Sequence, residues 1–472
     1  MRVVIQNGTV IAWADGRHAV LEDAVVVFEG DEIVFVGNGY DGVVDQTIDA
    51  TGRLVIPGLV NAHLHVTDTV YTKGHIEEVG SSSAQASAQN FVALYKILPA
   101  VRKATDAEAQ VAAAECAFAE LARTGSTTVV ELGYDFEIGG DGDIVITERV
   151  ADVAGRSGLR CYSGPRYRTR YYGQDGDAGV FYRDYPKQGR PRFEACVAFC
   201  EAWNGRYEDR LRTLLAPGQI DTCDRELLTE TRRVADALKL PIQIHAGLSP
   251  NEYARVRETE SKTPVELMME TGLLGPDFII GHGQVMSADG DINSMAPHEA
   301  VALRDSRTTI CHMPWVKARR GGVINSIQKY RDMGIHQCLG TDTYPFDMFN
   351  EMRMASVICK VVENSAEAGR AEDVFRMATV GGADALSRPD LGRLAVGCKA
   401  DIVLVKIDTP KAAPAYDPFQ FLVLAATGDD VDRVIVDGNT IVEHGDVLTI
   451  DVAAAVRSVN QASARVWGRL KL

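Results

Sequence analysis

No apolar run in this chain reaches the roughly 18 residues that a membrane span requires, so a transmembrane helix is excluded from the expected fold. Positive charge is in deficit. Lys and Arg number 49 against 65 Asp and Glu, and the formal net charge of −16 disfavours nucleic acid and acidic membrane surfaces as partners. A neutral or cationic small molecule suits such a chain better. The nine cysteines are odd in number and include no CxxC pair, which argues for reduced thiols in a cytoplasmic setting. Cys196 and Cys200, four apart on an expected helix, read as packing residues. The opening MRVVIQNGTV has the pattern of a folded strand and not that of a secretion signal.

What is present is a soluble globular composition, 46% hydrophobic and 24% charged over 472 residues, enough for a barrel of about 250 residues or more with appended structure. The first fifty residues alternate short β-rich runs with turn signals, and the same pattern returns after Leu386 in LGRLAVGCKADIVLVKID and VDRVIVDGNTIVEHGDVL. The two ends can pair into a small β-sandwich if the middle is a self-contained unit whose ends lie close together. The expected division is 1–57 (sandwich, first part), 58–390 (barrel) and 391–472 (sandwich, second part, with a C-terminal helix). Within the middle, eight strand-like runs alternate with helical stretches: GLVNAHLH, STTVVELG, LRCYSGPRY, LRTLLAPGQ, LPIQIHAG, FIIGHGQV, RTTICHMP and IHQCLGTD. Asp106 to Ala122 and Asp224 to Leu238 read as helices with acidic starts. That rhythm predicts an α/β fold, a (β/α)8 barrel of the TIM type, whose chemistry sits at the C-terminal ends of the strands.

Those ends carry His63 and His65 (strand one), His245 (strand five), His282 (strand six) and Asp342 (strand eight). Two-residue spacing on an extended chain points His63 and His65 the same way, and neutral imidazole is the commonest nitrogen ligand for a divalent ion. His63, His65, His245 and Asp342 are therefore the expected ligands of one metal ion per chain, zinc, cobalt, manganese or iron. Three imidazoles and a carboxylate leave an open position for water, whose pKa such an ion lowers to about 7. Metal-bound hydroxide is the expected nucleophile. Asp342 is placed to take its proton and His282 to steady the developing charge. His312 joins these as a fifth histidine to be explained; His18, His75, His298, His336 and His444 read as structural or surface residues, His75 lying in the long loop after strand one.

The stretches PGLVNAHLH, IQIHAG, IIGHG, LGTD and LGRLAVGCKADIVLV together resemble the amidohydrolase superfamily, and more narrowly its branch of cytosine and guanine deaminases and s-triazine, phenylurea and thiocarbamate hydrolases. The resemblance covers nearly the whole chain and implies the barrel with a terminal β-sandwich, the ligands just named, and His282 as a partner of the substrate or the water. It also implies a homo-oligomer. No lysine ends strand four, where LLAPGQ stands, so the two-metal form bridged by a carboxylated lysine is not expected. The deaminases of this branch carry a glutamate three residues after the strand-five histidine. Here that residue is Leu248, which can neither donate nor accept a proton. Glu252 and Glu131 are the candidate replacement acids.

Loss of that acid favours a substrate needing only carbonyl polarisation and hydroxide attack: an amide, urea, carbamate or thiocarbamate in a small, rather apolar molecule. The alternatives are deamination or dechlorination of a pyrimidine, purine or s-triazine ring, and a catalytically silent assembly relative. Arg166 and Tyr167 in SGPRYRTRYY, Trp315 in HMPWVKARRGG, and Tyr344 and Phe346 in TDTYPFDMF are candidate substrate contacts. The charge run Lys317, Arg319 and Arg320 reads as a solvated face. The loop from Thr67 to Gln89 reads as a lid or a disordered segment.

Overall fold

The computed structural model describes residues 1–73, 93–133, 143–174, 180–184, 186–324, 327–414 and 416–470. Only the start of the expected lid, up to Lys73, falls within these residues, and His75 lies outside them.

Both termini build one mixed sheet. Arg2–Ala14 pairs antiparallel with Arg17–Glu29, which in turn pairs with Glu32–Gly37. On its other edge Arg2–Ala14 meets Gln46–Asp49 and Arg53–Pro57 in parallel. The seam between the termini is the antiparallel pair of Arg53–Pro57 with Ile402–Lys406, in which Ile56 faces Val403 and Val55 faces Leu404. These are β-branched and apolar runs that pack well on a pleated surface. Val431–Val436, Asn439–Glu443 and Asp446–Val447 continue the sheet outward. One face closes over Val3, Ile5, Val10, Val26, Phe28, Ile33, Leu404 and Ile435, all buried; each such side chain contributes about 1.5–3 kcal/mol.

All eight expected barrel strands form. They are Leu59–Leu64, Ser126–Leu132, Arg160–Gly164, Leu211–Thr213, Ile242–Ala246, Phe278–His282, Thr309–His312 and His336–Leu339, hereafter strands one to eight. They make two parallel arcs of four, joined by a bridge from Leu64 to Asp342 on one side and bridges from Leu215 to Ile242 and Gln219 to His245 on the other. Alternation sends Val60, Ala62, Val130, Leu132, Tyr162, Leu214, Ile279, Cys311 and Cys338 to the interior, while Val129, Cys161, Ile242, Ile244, Ile280 and Ile310 pack under the helices. Helix Ala107–Arg123 starts where Asp106 accepts a hydrogen bond from the Ala109 amide (2.9 Å), and helix Arg225–Leu238 where Asp224 accepts from Leu227 (2.8 Å). The C-terminal helix Val452–Arg469 lies on Ala107–Arg123, and its Trp467 Nε1 donates to the Tyr71 carbonyl (2.9 Å), tethering the segment that follows strand one.

Candidate active site

Strand one reaches the barrel mouth through an irregularity. Its pairing with strand two shifts between Asn61 and Leu64, so that Ala62 and His63 do not alternate across the wall. The extra residue turns His63 inward, Leu64 outward into the helix layer and His65 inward again. Asp342 locks this end in place: its amide donates to the His63 carbonyl (2.9 Å) and its carbonyl accepts from the His65 amide (2.8 Å). Asn61 and Thr341 exchange a second pair of bonds just below, at 2.9 and 3.0 Å.

The structure brings His63, His65, His245 and Asp342 together. His65 Nε2 lies 3.2 Å from His245 Nε2, and Asp342 Oδ1 lies 3.5 Å from His65 Nε2 and 3.9 Å from His63 Nε2. His65 Nδ1 donates to the Leu132 carbonyl (2.8 Å) and His245 Nδ1 to the Gly218 carbonyl (2.7 Å), which fixes both tautomers. Both Nε2 atoms are therefore bare lone pairs, and a 3.2 Å approach between them is repulsive unless a cation lies between. The spacing matches the edge of a tetrahedron with bonds of about 2.0–2.1 Å to the metal, about 3.3 Å. His63 has neither nitrogen hydrogen-bonded although it is fully buried. Burial pushes its pKa down to about 3 and those of His65, His245 and His282 well below the ordinary value, so the imidazoles are neutral, as ligation requires. These residues fit a divalent metal. Among the described residues the three histidines form the only group of ligand atoms of this kind.

His282 stands beside the cluster, its ring centre 5.5 Å from that of His63 and 5.6 Å from that of His245. Its backbone is left-handed (φ 82°), as is that of Asp342 (φ 60°). Non-glycine residues enter this region at a cost of about 1–3 kcal/mol, and here the turn swings each side chain from the wall into the mouth. Burial raises the pKa of Asp342 to about 6, with Arg320, Arg319 and Arg166 opposing that rise.

The structure places several of the expected site residues away from the histidine cluster. Tyr167 does not face the mouth: it points under the helices, donating to or accepting from Thr231 Oγ1 (2.9 Å) and packing edge-on against Phe193. Phe346 is likewise a core residue, its backbone bonded to Glu120 and Thr124. Glu131 shares the outer side of strand two with Val129, because Val130 and Leu132 take the interior. Glu252 is engaged, accepting from the Gly247 amide (2.6 Å), the Gln219 amide group (3.1 Å) and the Leu248 amide (3.3 Å), so it braces the turn that carries Leu248. His312 also points outward, to Gln337 Oε1 (2.8 Å) and Tyr330.

Arg166, Trp315 and Tyr344 lie on the segments that follow strands three, seven and eight. Arg166 Nε donates to the Gly133 carbonyl (2.6 Å), one residue beyond the carbonyl that holds His65. Tyr344 lies under the Arg319 guanidinium (4.1 Å to the ring centre), and Trp315 opens the short helix Pro314–Ala318, its indole Nε1 buried and unbonded. The run Lys317, Arg319 and Arg320 is half-buried and not a solvated face. Two residues escaped the sequence reading. Asp68 is fully buried and paired with Arg102 (2.7 Å), and Glu351 is buried where it accepts the Trp315 amide (3.1 Å). Asp68, three residues after His65, is a signal that spacing alone offered; Glu351, on the helix after strand eight, gave none.

A sequence model described as the amidohydrolase family matches residues 54–441. The chain is 29% identical to a 5-methylthioadenosine/S-adenosylhomocysteine deaminase of Halobacterium salinarum over 95% of its own length and 94% of that protein's. It is 30% identical to a 5'-deoxyadenosine deaminase of Methanothermobacter thermautotrophicus, over 94% and 95% of the two chains. Among solved structures it superposes on a zinc-bound adenosine deaminase of Xanthomonas campestris with TM-score 0.81 at 22% identity, covering 99% and 98% of the two chains. It superposes equally on a mutant atrazine chlorohydrolase of Arthrobacter aurescens complexed with zinc and atraton, TM-score 0.81 at 22% identity over 98% and 100%. Because the family match runs from the terminal sheet through the barrel and back into that sheet, the chain belongs to the amidohydrolase family and is a metal-dependent enzyme acting on carbon–nitrogen bonds.

Proposed function

We propose that this enzyme holds one divalent ion on His63, His65, His245 and Asp342 and hydrolyses an amide, urea, carbamate or thiocarbamate bond in a small, largely apolar molecule. When bound, the ion supplies the Lewis acidity that makes water nucleophilic near neutral pH and polarises a carbonyl. Asp342, with its carboxyl pKa raised to about 6 by burial, takes a proton from that water and passes it to the leaving group. His282, held by its left-handed backbone beside His63 and His245, donates to the oxygen on which charge develops. The end of strand four, Leu214, Leu215 and Ala216, offers no ligand for a second ion.

The observation that carries this reading is the aliphatic side chain of Leu248 on the turn that follows His245. Leu248 occupies the position at which deaminases of this branch carry their glutamate. Among the described residues Glu252 accepts from three donors, Asp68 pairs with Arg102, Glu351 accepts the Trp315 amide, Glu131 lies on the outer wall with Leu64, and Asp221, buried near Glu252, accepts from the Tyr182 hydroxyl at 2.6 Å. A ring amine leaves poorly without a proton on the ring nitrogen, whereas a carbonyl substrate needs only attack and collapse. The second reading is deamination or dechlorination of a heteroaromatic ring, favoured by the deaminase names of the relatives at 29% and 30% identity. Metal analysis with a screen of ureas, carbamates, thiocarbamates and aminated or chlorinated rings decides between them. Carbonyl cleavage at one metal per chain supports the first; ammonia or chloride from rings alone supports the second.

A further inference from the structure

His245 takes its orientation from the chain that follows strand four as well as from its own strand. Its Nδ1 donates to the Gly218 carbonyl at 2.7 Å, and its carbonyl accepts from the Ile220 amide at 3.0 Å. The residue between those two contacts is Gln219. Thr222 folds its backbone into a tight turn, Oγ1 accepting from the Gln219 amide (3.1 Å) and donating to the Gln219 carbonyl (2.9 Å). The Gln219 side chain then crosses to the next strand end, where Nε2 donates to Glu252 Oε2 at 3.1 Å.

Glu252 closes the circuit from the helix Pro250–Glu260. Its Oε1 accepts from the Gly247 amide at 2.6 Å and its Oε2 from the Leu248 amide at 3.3 Å. Gly247 is left-handed (φ 70°), and its carbonyl accepts from the Gln284 and Val285 amides, both at 2.9 Å, just beyond His282. A Cβ at position 247 would meet Met286 Sδ at 2.7 Å and Gly283 Cα at 3.0 Å, so this turn is seated directly on the end of strand six. The helix does not need the carboxyl in order to start. Ser249 already caps it, its Oγ accepting from the Glu252 amide at 3.2 Å, and a glutamate at this position of a capping box would return to the Ser249 amide, not reach past it. Burying an acid is costly, and Glu252 is fully buried. Burial and the nearby Asp221 press its pKa upward, while the Gly247, Leu248 and Gln219 donors press it down. With or without a proton, Oε1 remains an acceptor for Gly247.

We propose that Glu252 is a positioning residue for the metal ligand His245: through Gln219 and the Gly247 amide it fixes the Gly218 carbonyl against His245 Nδ1, and so keeps Nε2 turned toward the ion. This rests on the metal site of the hydrolase reading and not on its choice of substrate. Partners of ligating histidines set the tautomer and the ring orientation, and losing one weakens metal binding by about 10–100-fold.

The test is the zinc dissociation constant of Glu252→Ala, Glu252→Gln and Gln219→Met, measured by competition with a chromophoric chelator, together with the visible d–d band of the cobalt-loaded proteins. Glu252→Ala is expected to weaken zinc binding by about 10–100-fold and to alter the cobalt band. Glu252→Gln keeps an acceptor for Gly247 but turns an amide toward Gln219 and Leu248, so its loss should be about tenfold. Gln219→Met removes one hydrogen bond, should likewise cost about tenfold, and carries the test if Glu252→Ala does not fold. Unchanged zinc affinity and an unchanged cobalt band, with or without a loss of stability, make Glu252 a brace of the fold alone and overturn the proposal. A collapse of kcat in Glu252→Gln at unchanged affinity and band makes it a proton carrier instead, and also overturns the proposal. A parent protein that binds no zinc removes the metal reading and this inference with it. Weakened zinc binding in the variants supports the proposal whichever substrates the parent cleaves.

Discussion

At the floor of the barrel Arg160, 1% exposed, donates to Asp401 (3.3 Å) and to Asp437, and the Asp437 amide closes the circuit on Asp401 at 2.9 Å. Arg388 beside it holds Asp390 with two bonds of 2.7 Å and reaches the Tyr162 hydroxyl at 3.3 Å. At the mouth, His63 is as deeply buried and has neither ring nitrogen bonded, and two bare imidazole lone pairs approach to 3.2 Å. Both ends bury ionisable groups, at a cost that pairing must offset. The floor offsets it with partners from the chain itself, tying strand three to the terminal sheet. At the mouth the offset is left to an ion and a substrate. One barrel thus separates stability from chemistry along its axis.

That separation is sharpened by removing one group from each end. Replacing His245 or Asp342 by Ala is expected to lower turnover by on the order of 10⁴-fold, since most of the rate enhancement depends on the bound ion. Metal per chain should fall with it while thermal unfolding stays cooperative. Arg160→Met has the opposite profile: it strands Asp401 and Asp437 without their cation, at a cost of about 3–5 kcal/mol, read from urea unfolding. Metal content and kcat of the folded fraction should not move. An Arg160 variant of undiminished stability that loses its metal would break the comparison. Stripping the ion with a chelator is expected to remove about 3 kcal/mol relative to protein in free metal at 100 times its Kd, and to abolish activity. Readdition of zinc should restore both.

The legible parts of this molecule are those in which local chemistry and fold agree. The eight strand ends could be read because apolar runs break into His, Asp or Gly at the point where a barrel needs polar side chains, and the caps at Asp106 and Asp224 announced their helices. The three histidines that cluster at the mouth were legible for the same reason. What resisted reading was the side of the wall on which a residue falls. Glu131 and Tyr167 sit at strand ends, yet parity alone sends them outward, while the irregularity between Asn61 and Leu64 that turns His63 inward has no mark in the sequence. Lys317, Arg319 and Arg320 look like a solvated run because their burial comes from the turn closing over Lys317 and from the stacking on Tyr344, contacts made by residues far along the chain.

The smallest expected effect concerns Glu131, which belongs to neither network. It is buried, its Oε1 has no hydrogen-bond partner, and burial raises its pKa to about 8, with Arg166 opposing and Asp68 adding to the rise. In the unfolded chain a glutamate titrates near its ordinary value, about 4.3. A folded-state pKa above the unfolded one means that the folded protein holds the proton more tightly. The resulting stabilisation is complete below about pH 4 and is lost as pH rises through about 8. Glu131→Gln keeps the shape and removes the titration. The variant should therefore match the parent in urea unfolding below about pH 4 and exceed it progressively as pH rises towards 9. Because the side chain lies on the outer side of strand two, kcat at pH 7 should remain within about twofold. A large loss of turnover with intact metal would instead place Glu131 in the proton path, and the division between a self-sufficient floor and a mouth waiting for its ligands would need redrawing along strand two.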